Sequence, residues 1–238
     1  MPDRHSDREA RVAQGLPSVD DPISTDRPAV AASSTVVPIG SLQIENGFLL
    51  SNPHSFDGPE TAIRFGLTGN TELRFSAPDD YFNSTLNSGF GDTSIGMKQQ
   101  LGPAGRFDVS LIVFLSLPSG ANAVSSHGYD PGLQLPWSRK LSHNWSAGGQ
   151  LAVYWPTQGD HRNLTGESTF LLDRQLTKPM DAFVEYAGDF PTSRFSGQHC
   201  ASRALHIGHH RILGESFVSG PKKPSLLPLQ VSWGRAIQ

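Results

Sequence analysis

Residues 89–101, GFGDTSIGMKQQL, alternate between two kinds of side chain. One register is mostly apolar and includes Ile95 and Leu101, whereas the other is entirely small or polar and includes Asp92 and Lys98. Because successive side chains of a β-strand point to opposite faces of a sheet, this pattern predicts a strand between two different environments. Which face meets which environment decides the fold.

The same alternation recurs between residues 41 and 190. Residues 107–117, FDVSLIVFLSL, form the strongest run, and a Thr-Gly-Asn turn at 68–70 separates two further runs. Two alternating runs joined by such a turn predict a β-hairpin. We count nine candidate strands in this span and find no sustained helical periodicity. The sequence therefore predicts an all-β fold.

The composition agrees with many short elements joined by turns. The 238 residues include 24 glycines and 18 prolines, and 17% of them are charged. A net charge of −3 gives no reason to expect a nucleic-acid partner. The single cysteine, Cys200, excludes an internal disulfide and a cysteine-based zinc site.

Residues 1–40 are predicted to be an irregular N-terminal segment. Ten of the first 30 side chains are Asp, Glu or Arg, and four prolines interrupt any regular element. The N-terminus shows no apolar stretch of the kind that a secretory signal requires. If the protein is exported, we therefore expect the true start to lie upstream of Met1.

Residues 192–238 depart from the pattern of residues 41–191. Alternation stops after Pro191, and the segment 191–238 carries six lysines or arginines against one acid, Glu215. We therefore predict an aberrant, non-alternating tail. A change of reading frame near codons 191–195 would produce this switch, and we state it as a hypothesis.

Alternation alone is compatible with two structures. In a soluble β-sandwich or lipocalin-like binding module, the apolar register faces a core and the polar register faces water. In an outer-membrane barrel, the apolar register faces lipid and the polar register faces the lumen. The length of the run at 107–117, the many Gly and Ser residues of the polar register and the aromatic residues near strand ends favour the barrel.

Six motifs carry a resemblance to a known family. They are ISTDRP (23–28), SLQIENGF (41–48), IRFGLTGNTELRF (63–75), GFGDTSIGMKQQL (89–101), LSLPSG (115–120) and AFVEYAGDFP (182–191). Their order and spacing over residues 23–191 resemble the meta-pathway phenol-degradation family, whose members are labelled as transporters. The resemblance implies an antiparallel, up-and-down β-barrel in the outer membrane of a Gram-negative cell.

The resemblance also implies a function and a location. It suggests passive transport of small, aromatic or apolar compounds. The expected partner is outer-membrane lipid. The resemblance specifies neither the solute nor the oligomeric state. The family would continue with alternating strands after Pro191, which this sequence lacks. We therefore expect an incomplete barrel, since unpaired strand edges cannot face lipid.

Charged residues of the polar register are the candidate site. They are expected to line the lumen and to select solutes or to pair across strands. The alternative is that they only neutralise one another or face water. The set consists of Glu45, Arg64, Glu72, Arg74, Asp92, Lys98, Asp108 and Glu185.

Motifs for catalysis or cofactor binding are absent from the sequence. There is no Gly-x-Ser-x-Gly, no His-Glu-x-x-His and no phosphate-binding loop. His199, His206, His209 and His210 cluster in the tail without a carboxylate beside them. We therefore predict no enzyme activity, no cofactor and no metal.

Overall fold

The computed structural model describes residues 26, 31–52, 55–77, 80–83, 88–177, 180–191, 203–211, 215–218 and 229–237. These residues form strands, turns and irregular segments, which confirms the all-β prediction. Within them, no helix is long and apolar enough to cross a membrane.

The first nine strands are β1 (Leu42–Asn52), β2 (Ser55–Gly66), β3 (Thr71–Ser76), β4 (Asp80–Asn83), β5 (Gly89–Phe90), β6 (Thr93–Ala104), β7 (Phe107–Leu117), β8 (Asp130–Lys140) and β9 (Trp145–Tyr154). The others are β10 (Thr157–Gln158), β11 (His161–Arg162), β12 (Thr165–Thr177), β13 (Met180–Pro191), β14 (Arg203–Arg211), β15 (Glu215–Val218) and β16 (Leu229–Ile237).

The nine predicted strands correspond to the nine longest elements of residues 42–191. These are β1, β2, β3, β6, β7, β8, β9, β12 and β13. The predicted hairpin is β2–β3, in which Phe65 lies opposite Leu73. Its turn is closed by the N–H groups of Leu67 and Thr68, which both donate to the carbonyl of Thr71.

The long strands form one antiparallel sheet with up-and-down connections. The hydrogen-bonded order is β1-β16-β15-β14-β13-β12-β9-β8-β7-β6-β3-β2, and β1 also pairs with β2. Leu42 of β1 therefore has a partner on each side, Phe65 of β2 and Ile237 of β16. This is the wall of an antiparallel barrel. β4 and β5 extend the sheet from β2, and β10 and β11 form a separate small hairpin.

The polar face of the wall is the buried face. On β6, Ile95 is 54% exposed and Leu101 is 58% exposed, whereas Lys98 is 0% exposed. A soluble sandwich would show the reverse, because its apolar register would be buried against a core. Other large apolar side chains on the outer face are Phe65, Leu73, Phe75, Met97, Val113, Leu133, Leu151, Phe170 and Val184.

The C-terminal segment contains strands where the sequence pattern indicates none. β14, β15 and β16 lie within residues 192–238, for which the sequence predicts a non-alternating tail. Backbone N–H and C=O groups pair in a ladder whatever the side-chain order, and the edges of β1 and β13 need partners. The origin of this segment in a frame change stays a hypothesis.

The wall is weakest near its C-terminal end. The described ladder between β15 and β16 consists of Ser216 opposite Ser232 and Phe217 opposite Val231. By contrast, β12 and β13 pair from Thr165 opposite Pro191 to Thr177 opposite Met180. The sequence predicts an incomplete barrel, and in the structure the ladder between β15 and β16 is where the wall has the fewest paired residues.

The two ends of the barrel differ in the length of their connections. Short turns at residues 67–70, 105–106 and 141–144 lie at one end, and longer loops at 118–129 and 155–164 lie at the other. The chain enters at the short-turn end, where Ile39 forms a parallel bridge with Gly66. A Cβ atom at position 66 would collide with the carbonyl of Pro38, so the close approach requires glycine.

A lysine at position 95 is expected to destabilise the inserted barrel by roughly 2 kcal/mol, because the charge would face lipid. A lysine at the neighbouring Ser94 is expected to cost much less, since that position is half-buried on the inner face. Guanidinium unfolding of Ile95→Lys and Ser94→Lys in lipid vesicles measures both. Equal losses would contradict the assignment of the faces.

Candidate functional site

A segment that precedes β1 lies inside the barrel. We give the name inner segment to Asp26 and residues 31–37, the residues of this stretch that the structure describes. Ala31, Val36 and Val37 are 7%, 3% and 3% exposed, although they belong to no strand of the sheet. The described residues of the inner segment belong to no regular element. Its enclosure by the wall was not predicted.

Side chains of the wall hydrogen-bond the backbone of the inner segment. Such partners are necessary because irregular backbone inside a barrel has no ladder of its own. Among the amides that donate to the wall are Ala31 N to Glu185 Oε1 (2.8 Å), Ala32 N to Gln150 Oε1 (3.1 Å) and Val37 N to Glu72 Oε2 (2.7 Å). The hydroxyl of Ser110 donates to the carbonyl of Ser34, whose own hydroxyl lies 2.7 Å from Ser138 Oγ. The bonds reach five strands around the lumen.

Six charged side chains, one from the inner segment and five from the wall, form an ion-pair cluster. Arg64 is central, with Nη1 2.9 Å from Glu45 Oε1 and Nη2 2.9 Å from Glu72 Oε2. Its Nη2 also donates to the Thr35 carbonyl at 3.1 Å. The members of the cluster are Asp26, Glu45, Arg64, Glu72, Arg74 and Lys98.

Asp26 links the inner segment to the cations of the wall. Its Oδ1 lies 3.4 Å from Arg64 Nη1 and 3.5 Å from Lys98 Nζ, and its Oδ2 lies 2.5 Å from Arg74 Nη1. The Asp26 amide donates to Glu45 Oε2 at 2.8 Å, and Ser33 N donates to Asp26 Oδ1 at 2.8 Å. Asp26 therefore forms ion pairs with the wall and also accepts a hydrogen bond from Ser33 within the inner segment.

The cluster is electrically balanced. Among the residues that the structure describes, its three carboxylates match its three cations, and Arg64, Glu72 and Lys98 are 1%, 0% and 0% exposed. Isolated charges in such a place would cost several kcal/mol of desolvation each, which close opposite charges offset. Removing one member would leave an uncompensated charge that water reaches poorly. Balance, rather than any single ion pair, is what stabilises the arrangement.

The structure brings together five of the eight candidate site residues. Glu45, Arg64, Glu72, Arg74 and Lys98 meet in the ion-pair cluster. Glu185 is fully buried on β13, where it accepts the Ala31 amide. Asp108 is half-buried on β7, opposite Ser138 of β8. The eighth, Asp92, lies elsewhere.

Asp92 precedes β6 and anchors a loop at the long-loop end. Its carboxylate accepts the N–H groups of Gly120 at 2.8 Å and Ser126 at 3.0 Å. Partial burial alone would raise the pKa of Asp92, but these N–H groups and the hydroxyls of Ser125 and Ser126 outweigh it and hold the pKa below the ordinary value. Asp92 therefore lies in the connection before β6, which begins at Thr93, and its position in the lumen stays a prediction.

One rung of the inner face carries a cation beside two aromatic rings. Directly paired positions run from Arg74 through Gly96, Phe114 and Gly132 to Tyr154, on β3, β6, β7, β8 and β9. The ring centroids of Phe114 and Tyr154 are 5.8 Å apart, at an interplanar angle of 57°. A Cβ atom at Gly132 would overlap the Phe114 ring, so glycine makes room for it. We call these five positions the aromatic rung.

Several functional residues escaped the sequence reasoning. Asp26 lies in a segment without periodicity, and only its place in the motif ISTDRP (23–28) distinguishes it from the other acids of the N-terminus. Gln150 could have been found by extending the polar register of β9 from Ser146. Phe114 gave a readable signal, because it is an aromatic residue in the register of Ser110.

The described residues contain no group of three or more His, Cys, Asp or Glu side chains that could hold a metal ion. His199 and Cys200 lie outside the described residues. His206, His209 and His210 lie on β14, whose backbone alone is described.

Comparisons with known proteins agree with the barrel. A sequence profile of the family described as "Putative MetA-pathway of phenol degradation" matches residues 22–198. No curated protein sequence matches the chain significantly. The match ends shortly after Pro191, where the alternation also ends.

Two solved structures share the fold. The COG4313 outer membrane channel from Pseudomonas putida F1 is 11% identical, with a TM-score of 0.61 over 85% of this chain and 97% of that one. The NanC porin is 10% identical, with a TM-score of 0.53 over 82% of this chain and 98% of that one.

Arg64→Met is expected to lower the free energy of unfolding by about 3–5 kcal/mol, because it leaves buried carboxylates without their shared cation. The matched control is Arg106→Met, in the exposed turn between β6 and β7, which should change stability little. Guanidinium titration of the refolded protein in detergent, followed by tryptophan fluorescence, measures both. Similar losses in the two variants would argue against a balanced cluster.

Asp92→Asn is expected to speed amide hydrogen exchange at Gly120 and Ser126, because two charge-assisted hydrogen bonds weaken. Asp160→Asn, in an exposed turn, is the control. A lowered pKa means that the carboxylate's contribution is present above the ordinary value of 3.8 and is lost as the pH falls through the lowered value. Loss of protection in the wild type at a pH well above 3.8 would refute this account.

Proposed function

The chain belongs to the family described as "Putative MetA-pathway of phenol degradation", and on this premise we propose that it is an outer-membrane channel for passive movement of small molecules. No chemical step is part of the mechanism. Solutes would diffuse through the lumen down their concentration gradient, and the wall would select among them.

One observation carries the proposal most directly. The sheet turns its apolar side chains outward and encloses charged and polar ones, with Phe170 50% exposed and Glu185 0% exposed. Such a surface is stable against hydrocarbon, and such an interior suits a polar passage. Outer-membrane lipid is accordingly the partner that we propose for the outer face. The short turns would face the periplasm and the longer loops the exterior, as is usual for such barrels.

The charged residues of the inner face are proposed to select solutes. The ion-pair cluster lies near the short-turn end, since Arg64 is two positions before the end of β2 and Glu72 is the second residue of β3. A ring of charge at a narrow level of a pore favours one sign of ion. The inner segment occupies this level, so its position would control the passage.

Small aromatic or apolar compounds are the solutes that we propose. The pair formed by Phe114 and Tyr154 supports this class, because it gives the inner face a place where an aromatic ring can stack. Gln134 donates to the Tyr154 hydroxyl at 3.2 Å and adds a polar group beside the rings.

Reconstitution tests the channel proposal. The full chain, refolded in detergent and inserted into planar lipid bilayers, is expected to produce discrete current steps in potassium chloride. Proteoliposomes should swell faster in glycerol than in raffinose, because a narrow lumen admits the smaller solute. Ile95→Lys, which should insert poorly, is the control. Chain that floats with the vesicles yet gives neither current nor swelling would contradict the proposal.

A further inference from the structure

Two arginines lie on the outer face near the short-turn end of the barrel. Arg139 of β8 shares its register with the exposed Leu133. Arg174 of β12 shares its register with the exposed Phe170. Because side chains two positions apart on a strand lie on the same face, both arginines point out of the barrel. They are cations on a face that is otherwise mainly apolar.

Each of the two arginines stacks on an aromatic ring of a neighbouring strand. Cζ of Arg139 lies 5.3 Å from the centroid of the Phe107 ring. Cζ of Arg174 lies 5.3 Å from the centroid of the Trp145 ring. Stacking fixes the plane of a guanidinium but leaves the N–H donors at its edge available. The rings therefore orient the two cations without satisfying their hydrogen-bonding groups.

No anion of the described wall is paired with either arginine. Neither guanidinium forms a hydrogen bond or an ion pair with the residues that the structure describes. Arg139 lies opposite Ala147 of β9. Arg174 lies between Trp145 of β9 and Ala182 of β13, so these flanking positions hold no acid. Since arginine stays charged at any ordinary pH, the outer face offers donors to an anion that the wall itself does not supply.

Three aromatic rings form a row across β7, β8 and β12, which we call the outer aromatic row. The ring centroids of Phe107 and Trp137 are 5.7 Å apart, and those of Trp137 and Phe170 are 6.0 Å apart. Trp137 and Phe170 both lie opposite Gly149 of β9. A Cβ atom at Gly149 would lie 3.0 Å from the Trp137 ring, so glycine lets this ring lie close to the sheet.

The cations and the outer aromatic row follow the order of a phospholipid along the strands. Arg139 is two residues beyond Trp137, and Arg174 is four residues beyond Phe170, in both cases toward the short turns. At about 3.4 Å per residue, these offsets are about 7 Å and about 14 Å. Groups that suit a phosphate therefore lie toward the end of the barrel, and groups that suit acyl chains lie deeper.

The two arginines are far enough apart to bind separate phosphates. β9 lies between β8 and β12, so the strands of Arg139 and Arg174 are about 10 Å apart. Arg139 is level with Ala147 and Arg174 with Trp145, which adds an offset of about 7 Å along the strands. Arg139 also leans toward Phe107 on β7, away from Arg174.

We propose that the outer face holds two molecules of an anionic glycerophospholipid by their phosphates, one at Arg139 and one at Arg174. The phosphate oxygens accept hydrogen bonds from the edge of each guanidinium, and the acyl chains pack against the outer aromatic row. Both sites lie at the end that is proposed above to face the periplasm, so the lipid belongs to that leaflet. This inference rests on the lipid-facing wall proposed above and does not depend on conduction.

Native mass spectrometry of the full chain, refolded in detergent with phosphatidylglycerol, counts the lipids that stay bound. The wild type is expected to retain two, and Arg139→Gln and Arg174→Gln are expected to retain one each. Phosphatidylcholine has the same phosphate but carries its own cation. It should bind about fivefold more weakly, which is the usual effect of one charge near a membrane surface.

Arg106→Gln is the matched control for these variants. Arg106 carries the same charge at the same end, in the exposed turn between β6 and β7, so this variant should retain both lipids. Loss of a lipid from Arg106→Gln, or equal retention of the two phospholipids by the wild type, would indicate attraction by overall charge and overturn the inference. Retention of inorganic phosphate or lipid A in preference to phosphatidylglycerol would overturn the assignment to a phospholipid.

Tryptophan fluorescence of the same detergent complexes gives a second readout. Phosphatidylglycerol with brominated acyl chains should quench the wild type, and Trp137→Phe should lose most of the quenching while both lipids stay bound. Unchanged quenching in this variant would contradict the contact with the outer aromatic row. Chain that binds the lipid but does not conduct would contradict only the channel proposal, whereas chain that conducts without retaining lipid would contradict only this inference.

Discussion

A sheet whose outer face is apolar must put its polar side chains into the space it encloses, and a narrow space tolerates charge only when the charges cancel. This constraint explains why Arg64, Glu72 and Lys98 are among the most buried side chains of the described chain. Hydrophobic burial, which organises the interior of a soluble protein, acts here on the outside, where lipid takes the place of a core. The interior is organised by ion pairs and hydrogen bonds instead, and these depend strongly on geometry.

The inner segment satisfies that constraint from within the same chain. It brings one carboxylate to three cations and several backbone amides to wall acceptors such as Gln150 and Glu185. Because these bonds are polar and join an irregular segment to a rigid wall, they can be exchanged for bonds to water or to a solute more easily than a ladder can be unpaired. The wall thus supplies the regular ladder of backbone hydrogen bonds, and the inner segment is held inside it by side chains.

The sequence predicted those parts of the fold in which the order of side chains follows directly from the backbone conformation. The period of two in β6 and β7 identified the strands, and the exposure of Ile95 confirmed which register faces outward. It failed for Asp26, because the position of an irregular segment inside a barrel is set by long-range contacts that leave no local pattern. It also gave no sign of β14 to β16, where backbone pairing outweighs the absence of alternation. Asp92 shows a further limit of the pattern. The alternation of side chains extends back to Asp92, but the hydrogen-bonded strand β6 begins only at Thr93.

The pairing of β1 with β16 also has a consequence for the order of events during biogenesis. The wall joins β1, the first strand of the sheet, to β16, the last, so no enclosed volume exists until β16 has paired with β1. The inner segment is tethered to β1 through residues 38–41. When β16 closes the wall, it therefore pairs with the strand to which the enclosed segment is already attached.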